Sequence, residues 1–264
     1  MWNVLTNTEN HNGPKKIAEI KLEFMQADIC NIPDLINKYS SDERSGVINI
    51  CRQYQSKHED YQNELKRIDL MKHYERIYSD YEYICGIDEV GRGPLAGPVI
   101  AGAVILPKHS NILYINDSKK LSEKRREELY DEILESAVSY GIGSMPPNEI
   151  DDINILQATF EAMRLAVSNL NVQPDVILVD AVTIPNMSLR QISIVKGDAK
   201  CYSIAAASIL AKVTRDRLMV AYDKIFPGYG FADNKGYGSR EHIEAIKRLG
   251  PTPIHRMSFI KNFL

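Results

Sequence analysis

The alternation of apolar and polar residues changes character near Tyr83. Before it, from Lys15 to Asp80, only Pro33 and Gly46 interrupt a helix-rich composition. Val47, Cys51, Tyr54, His58, Tyr61, Leu65 and Ile68 recur at alternating spacings of four and three, which puts them on one side of a long helix. Such a stripe needs a cover. A helical hairpin packed on itself or on the rest of the protein is the plain reading, and a dimer seam or an arm that touches substrate is the sharper one.

Beyond Tyr83 short apolar runs alternate with helical segments. Ile84–Asp88 and Val99–Leu106 read as strands joined by a glycine-rich turn, a short connection that favours antiparallel neighbours. Ser122 caps a predicted helix to about Ser136, with Glu123 in its first turn, and Ala137–Met145 reads as a third strand stopped by Pro146-Pro147. Ile155–Leu170 is amphipathic and helical. After the break at Gln173-Pro174-Asp175, the unbroken run Val176–Val179 has the pattern of a strand covered on both faces. Ile192–Val195 is a short strand, Ser203–Lys224 a long alanine-rich helix, and Ser239–Leu249 a helix capped by Ser239 and stopped by Gly250-Pro251. The pattern predicts an α/β fold over 81–264, a mixed β-sheet covered by helices, preceded by a helical extension over 15–80. The polar stretch Met1–Pro14 reads as a disordered tail.

Composition narrows the classes. A chain of 264 residues can hold one sizeable core plus an appendage. Its formal net charge of −3 excludes a uniformly basic nucleic-acid protein, so a nucleic-acid partner needs local clusters of cations. Two exist: Lys119, Lys120, Lys124, Arg125 and Arg126, and Lys196, Lys200, Lys212, Arg215 and Arg217. The plain alternative is that both are solvated helix faces. Cys30, Cys51, Cys85 and Cys201 form no Cys-x-x-Cys pair, which argues against a zinc site or a disulfide framework and fits reduced thiols in the cytoplasm. No signal pattern opens the chain. The longest apolar run, Val99 to Leu106, falls short of the roughly 18 residues a membrane helix needs, so a soluble cytoplasmic protein is expected.

The candidate chemistry is concentrated where the strand Tyr83-Ile84-Cys85-Gly86-Ile87 runs into Asp88-Glu89 and then Val90-Gly91-Arg92-Gly93-Pro94. Carboxylates at a strand end can hold hard divalent cations, and glycines let backbone N–H groups approach a sugar or phosphate. Asp180 ends the buried strand Val176–Val179 and supplies a third carboxylate, with a cap on the turn Ala181-Val182-Thr183 as its plain alternative. Two cations about 3.5–4 Å apart activate water and neutralise a leaving oxygen in phosphodiester hydrolysis. Because successive strand side chains point to opposite faces, the strand is expected to bend or end at Glu89 if both acids are to reach one cation. The alternative is a salt bridge from Glu89 to Arg92. The loop fails as a dinucleotide fingerprint, because Pro94 and Pro98 follow and the next element is a strand. Asp216, between Arg215 and Arg217, reads as a surface ion pair, and His242 as a surface histidine.

Taken together, Gly86-Ile87-Asp88-Glu89-Val90-Gly91-Arg92-Gly93 with Leu95-Ala96-Gly97-Pro98-Val99, then Asn116-Asp117-Ser118-Lys119-Lys120-Leu121, Ile177-Leu178-Val179-Asp180-Ala181, Lys196-Gly197-Asp198 and Tyr202 to Asp216, closely resemble the motifs of type 2 ribonucleases H, the bacterial ribonuclease HII family. The resemblance runs from Ile84 to Ser258. It implies a ribonuclease H-like fold and a metal-dependent endoribonuclease using Mg²⁺ or Mn²⁺, with Asp198 joining Asp88, Glu89 and Asp180 as catalytic metal ligands. Its substrates would be RNA–DNA hybrids and duplex DNA carrying single ribonucleotides, cut 5′ to the ribonucleotide.

By the same resemblance Gly91, Arg92 and Gly93 grip the 2′-hydroxyl through the backbone, and Tyr237 in Lys235-Gly236-Tyr237-Gly238-Ser239 stacks on the ribose and adjacent base. The plain readings are a tight turn and a loop tyrosine. Asn116, Ser118, Lys119, Lys196, Ser203 and Lys212 are expected at the DNA backbone. His255, in Pro253-Ile254-His255-Arg256, fits the family's C-terminal pattern without a role. Helical N-terminal extensions occur in some members, yet residues 15–80 carry no motif to transfer. Ribonuclease HIII, with a different N-terminal domain, and a non-catalytic hybrid-binding module are the competing classes. The C-terminal Phe259-Ile260-Lys261-Asn262-Phe263-Leu264 is expected to pack as a closing segment, with docking to a sliding clamp as the alternative.

Overall fold

The computed structural model describes residues 15–262 and 264; the expected tail Met1–Pro14 lies outside them. Helices α1 (Ile17–Gln26), α2 (Ile32–Lys38), α3 (Ser45–Met71) and α4 (His73–Ile77) come first, then strands β1 (Ile84–Val90) and β2 (Val99–Ile105). Helix α5 (Glu123–Ser136), strand β3 (Ser139–Met145) and helix α6 (Pro147–Ser168) follow, then strands β4 (Val176–Asp180) and β5 (Arg190–Ile194). Helices α7 (Gly197–Lys200), α8 (Tyr202–Ile225), α9 (Phe231–Asn234), α10 (Arg240–Leu249) and α11 (Met257–Ile260) complete the chain.

Two compact units divide it, one ending at Lys66 and the other beginning at Arg67. In the first, Ile20 and Phe24 of α1, Ile32 of α2 and Val47, Ile50 and Tyr54 of α3 bury one another, with the Phe24 and Tyr54 rings 5.1 Å apart. The apolar stripe of the long helix is thus covered over this stretch by α1 and α2. In the second unit Ile68 and Met71 pack with Ile115, Leu129 and Ile133. α4 serves a different purpose there. Its Glu75 reaches the start of α8, where Oε1 accepts from the Ser203 amide and hydroxyl, both at 2.8 Å. A carboxylate at a helix N-terminus satisfies orphan N–H groups and meets the positive end of the helix dipole.

The sheet has the order β3-β2-β1-β4-β5. β1 pairs antiparallel with β2, as expected, and parallel with β4, which pairs parallel with β5. Side-chain alternation sorts β1 and β4 by face. Cys85, Ile87, Ile177 and Val179 meet Ala158, Ala162, Met163 and Ala166 of α6, whereas Ile84, Val176 and Leu178 meet Ile204 of α8. Val176–Val179 is therefore covered on both sides, as its unbroken apolar run predicts.

Helix α6 differs from expectation. Pro146-Pro147 stops the strand but also starts the helix, since Pro is pre-organised for the first helical turn. Asn154 then interrupts the helix at φ 69°, and its side chain caps the continuation by accepting from the Leu156 and Gln157 amides. The expected start at Ile155 corresponds to that second segment. Ser122 and Ser239 cap α5 and α10 as predicted, accepting from Arg125 and His242 amides.

α8 lies close to β1 because Gly86 has no side chain: a Cβ there would come 2.1 Å from the Ser203 carbonyl carbon. Gly86→Ala should lower stability by about 2–3 kcal/mol in urea unfolding, the order expected for overpacking a core. A loss below about 0.5 kcal/mol would contradict the tight helix-on-strand packing.

Candidate active site

The parallel register aligns Gly86 with Leu178, so Asp88 and Asp180, two residues further along each strand, extend the same α8-facing rows. Asp88 is buried, and its Oδ1 accepts from the Glu89 amide at 2.8 Å. Asp180 accepts from the Gly197 amide at 2.6 Å, and that bond brings the α7 turn with the buried Asp198 alongside. The backbone bends sharply on both sides of this contact: Ala181 and Lys196 take left-handed φ values of 54° and 59°, uncommon for residues with a Cβ. Glu89 follows Asp88, one residue before the end of β1.

Electrostatics bind these acids into one group. Burial, then Glu89 and Asp180, push the Asp88 carboxyl well above the usual carboxylate range, while a hydrogen bond from Ser208 opposes the shift. Burial also raises Glu89, partly offset by Arg92, and Asp180 raises it further. Asp180 is raised by burial, opposed by the Gly197 amide and reinforced by Asp198. Lys119 places its ammonium 3.7 Å from Asp198. Burial disfavours that charge, but Asp198, Asp117, Asp88 and Asp180 outweigh it and raise the lysine pKa.

The cluster therefore already accommodates a cation, and its oxygen-only donors suit hard divalent ions. As the side chains lie, no group of three or more His, Cys, Asp or Glu among the described residues is arranged to hold a metal ion.

Several expectations are corrected. β1 does not end at Glu89 but continues to Val90, and Glu89 pairs with Arg92 at 3.3 Å, the contact taken as the alternative. Asp216 is buried rather than exposed, and it pairs with Lys212 at 2.8 Å, one helical turn away. Arg215, counted among the surface cations, is fully buried. So is His242, whose Nδ1 lies 2.8 Å from the Tyr237 carbonyl and whose Nε2 lies 3.1 Å from His255 Nε2. The Thr252 amide donates to His255 Nδ1. His255 accordingly donates from Nε2 to His242, which donates from Nδ1 to the tyrosine loop. Burial and the neighbouring His242 hold His255 down to about 4, and both rings are interior groups rather than surface ones.

Of the expected backbone-contact residues, Asn116 accepts from the Asp117 amide and Ser118 shares a hydrogen bond of 2.9 Å with Ser208. Ser208 thus joins the Asn116–Lys119 segment to Asp88, a link that its place in an alanine-rich helix did not signal. Lys119 and Lys196 are exposed. Ser203 is engaged with Glu75, and Lys212 with Asp216.

Gly91, Arg92 and Gly93 follow the acids directly. Gly91 has φ +90°, and a Cβ there would lie 2.3 Å from Arg215 Nε, so glycine is required on two grounds. At Gly93 a Cβ would meet only Tyr237 Cε1, at 3.9 Å. Glycine there leaves an open space facing the tyrosine ring.

A mixed five-stranded sheet with paired acids on adjacent parallel strands defines the class, a ribonuclease H-like nuclease fold. The comparisons give the family. The profile described as Ribonuclease HII matches residues 85–262, and that described as Ribonuclease HII N-terminal domain matches 16–79. The chain is 61% identical to the ribonuclease HII of Lachnoclostridium phytofermentans, covering 94% of this chain and 97% of that one. It is 48% identical to the Clostridioides difficile ribonuclease HII, over 95% and 99%. Among solved structures, the ribonuclease H2 of Pyrococcus horikoshii OT3 superposes with a TM-score of 0.58 at 28% identity, over 69% of this chain and 96% of that one. The chain belongs to the ribonuclease HII family. Ribonuclease HIII, the competing class, is represented by a Bst-RNase HIII structure at 16% identity and TM-score 0.51, a likeness of fold alone.

The raised carboxyls carry a stability signature. Between the ordinary carboxylate range and their raised values the folded protein binds more protons than the unfolded chain, so stability falls as pH rises through that window. In chelator, Asp88→Asn should therefore be more stable than wild type at pH 7 by about 1–2 kcal/mol, with the gap closing toward pH 4. Urea unfolding midpoints across that range provide the check. A variant less stable than wild type at every pH would show that the acids do not repel one another.

Proposed function

We propose that the protein is an endoribonuclease that hydrolyses RNA in RNA–DNA hybrids and incises duplex DNA 5′ to single embedded ribonucleotides, leaving 3′-hydroxyl and 5′-phosphate ends. The observation that carries this reading is the adjacency of a mutually repelling carboxylate cluster to an exposed backbone loop facing a tyrosine. The first suits phosphodiester chemistry and the second suits recognition of a sugar hydroxyl. Only RNA offers the 2′-hydroxyl, so a backbone cradle there separates ribose from deoxyribose.

Asp88, Glu89, Asp180 and Asp198 would hold Mg²⁺ or Mn²⁺. When bound, such ions make water nucleophilic and neutralise charge on the leaving oxygen. Ser208 and the Glu89 amide hold Asp88 in place, and the Gly197 amide holds Asp180. Arg92 keeps Glu89 oriented until a cation competes for it. Gly91, Arg92 and Gly93 offer the ribose their backbone, and Tyr237 offers a stacking face that tolerates any base. Asn116, Ser118, Lys119 and Lys196 would steady the DNA backbone. A similar role for Ser203 and Lys212 requires release from Glu75 and Asp216.

Among the described residues no helix is long and apolar enough to cross a membrane. The Archaeoglobus fulgidus RNase HII, 28% identical over 66% of this chain with a TM-score of 0.56, was solved with PCNA. For this chain packing is the better-supported reading of the C-terminal tail, because Ile260 is fully buried and Arg256 lies 5.2 Å from the Phe259 ring centroid. Phe263 lies outside the described residues.

Cleavage of matched all-DNA, single-ribonucleotide and RNA–DNA hybrid duplexes with Mg²⁺, Mn²⁺ or chelator, with fragment ends mapped, tests the function. Asp88→Asn should lower kcat on the order of 10³-fold, equivalent to about 4 kcal/mol of lost transition-state stabilisation. Chelator-resistant cleavage rules out the metal-ion mechanism, and no cleavage by wild type on any duplex rules out the nuclease reading. Gly93→Ala, which the fold can accept, should raise KM for the single-ribonucleotide duplex about tenfold by filling the space before Tyr237; an unchanged KM removes Gly93 from the ribose cradle.

A further inference from the structure

Two guanidinium groups, Arg215 and Arg256, are fully buried beneath the glycine loop, and among the described residues neither has a carboxylate within ion-pair distance. A buried charge of this kind persists only if dipoles replace water around it. Here backbone carbonyls do so. Arg256 donates to Arg92 O at 2.9 Å, to Gly97 O at 3.0 and 2.8 Å, and to Gly91 O. Arg215 donates to Pro98 O at 2.9 Å, Ala96 O at 3.0 Å and Lys235 O at 2.8 Å. The first guanidinium pins both ends of the loop, and the second ties its far end to the segment that carries Tyr237.

Carbonyl capture fixes more than position. In a trans peptide the C=O of one residue and the N–H of the next point in opposite directions, and no cis bond occurs among the described residues. With Gly91 O and Arg92 O turned onto Arg256, the amides of Arg92 and Gly93 must point away from it. Both residues are exposed, and neither amide has an acceptor among the described residues. Two adjacent unpaired donors beside the tyrosine ring are what a sugar hydroxyl needs.

We infer that Arg256 is a specificity-determining positioning residue: by holding the Gly91 and Arg92 carbonyls it presents the Arg92 and Gly93 amides to the 2′-hydroxyl, while Arg215 holds the Tyr237 segment in register with them. Arg256 touches no substrate; it acts through the loop. The inference rests on the ribose-reading role of that loop given under Proposed function. A fork of coplanar donors is needed to collect several carbonyls at once, which a lysine ammonium cannot reproduce.

Arg256→Lys is therefore the informative variant. Affinities for an all-DNA duplex and for the same duplex with one ribonucleotide are measured in chelator, with circular dichroism and thermal unfolding to establish the folded state. The wild-type preference for the ribonucleotide duplex should fall about tenfold, the effect of losing one or two hydrogen bonds, while all-DNA affinity stays within about twofold. A folded variant with the wild-type preference, or one that loses both affinities equally, overturns the role of Arg256 and leaves the ribose reading intact. A wild type with no preference overturns the ribose reading itself, and the inference with it. If the variant does not fold, amide exchange of the wild type decides: the ribonucleotide duplex, and not the all-DNA duplex, should slow exchange at Arg92 and Gly93. Equal exchange with both duplexes overturns the proposal.

Discussion

The burial of the Asp88 carboxyl, reinforced by repulsion from Glu89 and then from Asp180, is the constraint around which the site is organised. Two carboxylates on the same face of adjacent parallel strands, one of them buried, are tolerated only where donors or cations share their charge. The protein supplies a minimum of such donors: one amide and one hydroxyl for Asp88, one amide for Asp180, and the Lys119 ammonium nearby. That is enough to keep the folded state intact and too little to quench the field. The residual negative potential is what the proposed capture of divalent cations would use, at a local cost in stability.

α8 is the ruler against which the components are set. Its first turn lies on Gly86 and is capped from α4 by Glu75; its second reaches Ser208 toward Asp88; its later turns carry Arg215 beneath the glycine loop and Met219 beside Gly97 and Gly236. Acids, loop and tyrosine segment therefore share one rigid support. A displacement of the helix along β1 would disturb all three together, and its close approach to the sheet uses small residues such as Ala207 and Ala211, which lie against Gly102.

Much of this was legible from the chain alone where a periodic pattern and a local signal agree. The five strands, the Ser122 and Ser239 caps and the doubly covered run Val176–Val179 are of this kind, because burial on one or two faces leaves a direct imprint on residue type. The start of α6 was not legible, since Pro147 is both a strand breaker and a helix starter and only the neighbouring packing decides. At the site, the positions of Asp88 and Asp180 at strand ends carried their own signal. The contact of Glu89 with Arg92 was legible only as one of two alternatives, because a pleat argument fixes the face of a side chain but not the reach of a flexible cation three residues on.

The most consequential misreadings concern polar residues that are buried. Arg215, His242 and Asp216 look like surface groups in sequence, because such residues are seldom interior. Their partners explain the difference: loop carbonyls for Arg215, a carbonyl and a second imidazole for His242, and Lys212 for Asp216. Carbonyls leave no sequence trace, since every residue has one, so a site shaped by guanidinium-to-backbone bonds is invisible to a search for paired charges. The same fact assigns the work within the loop. Gly91 is fixed by its backbone angle and by Arg215, whereas Gly93 is under no comparable internal demand. The freedom left at Gly93 is the room that the proposed ribose cradle would use.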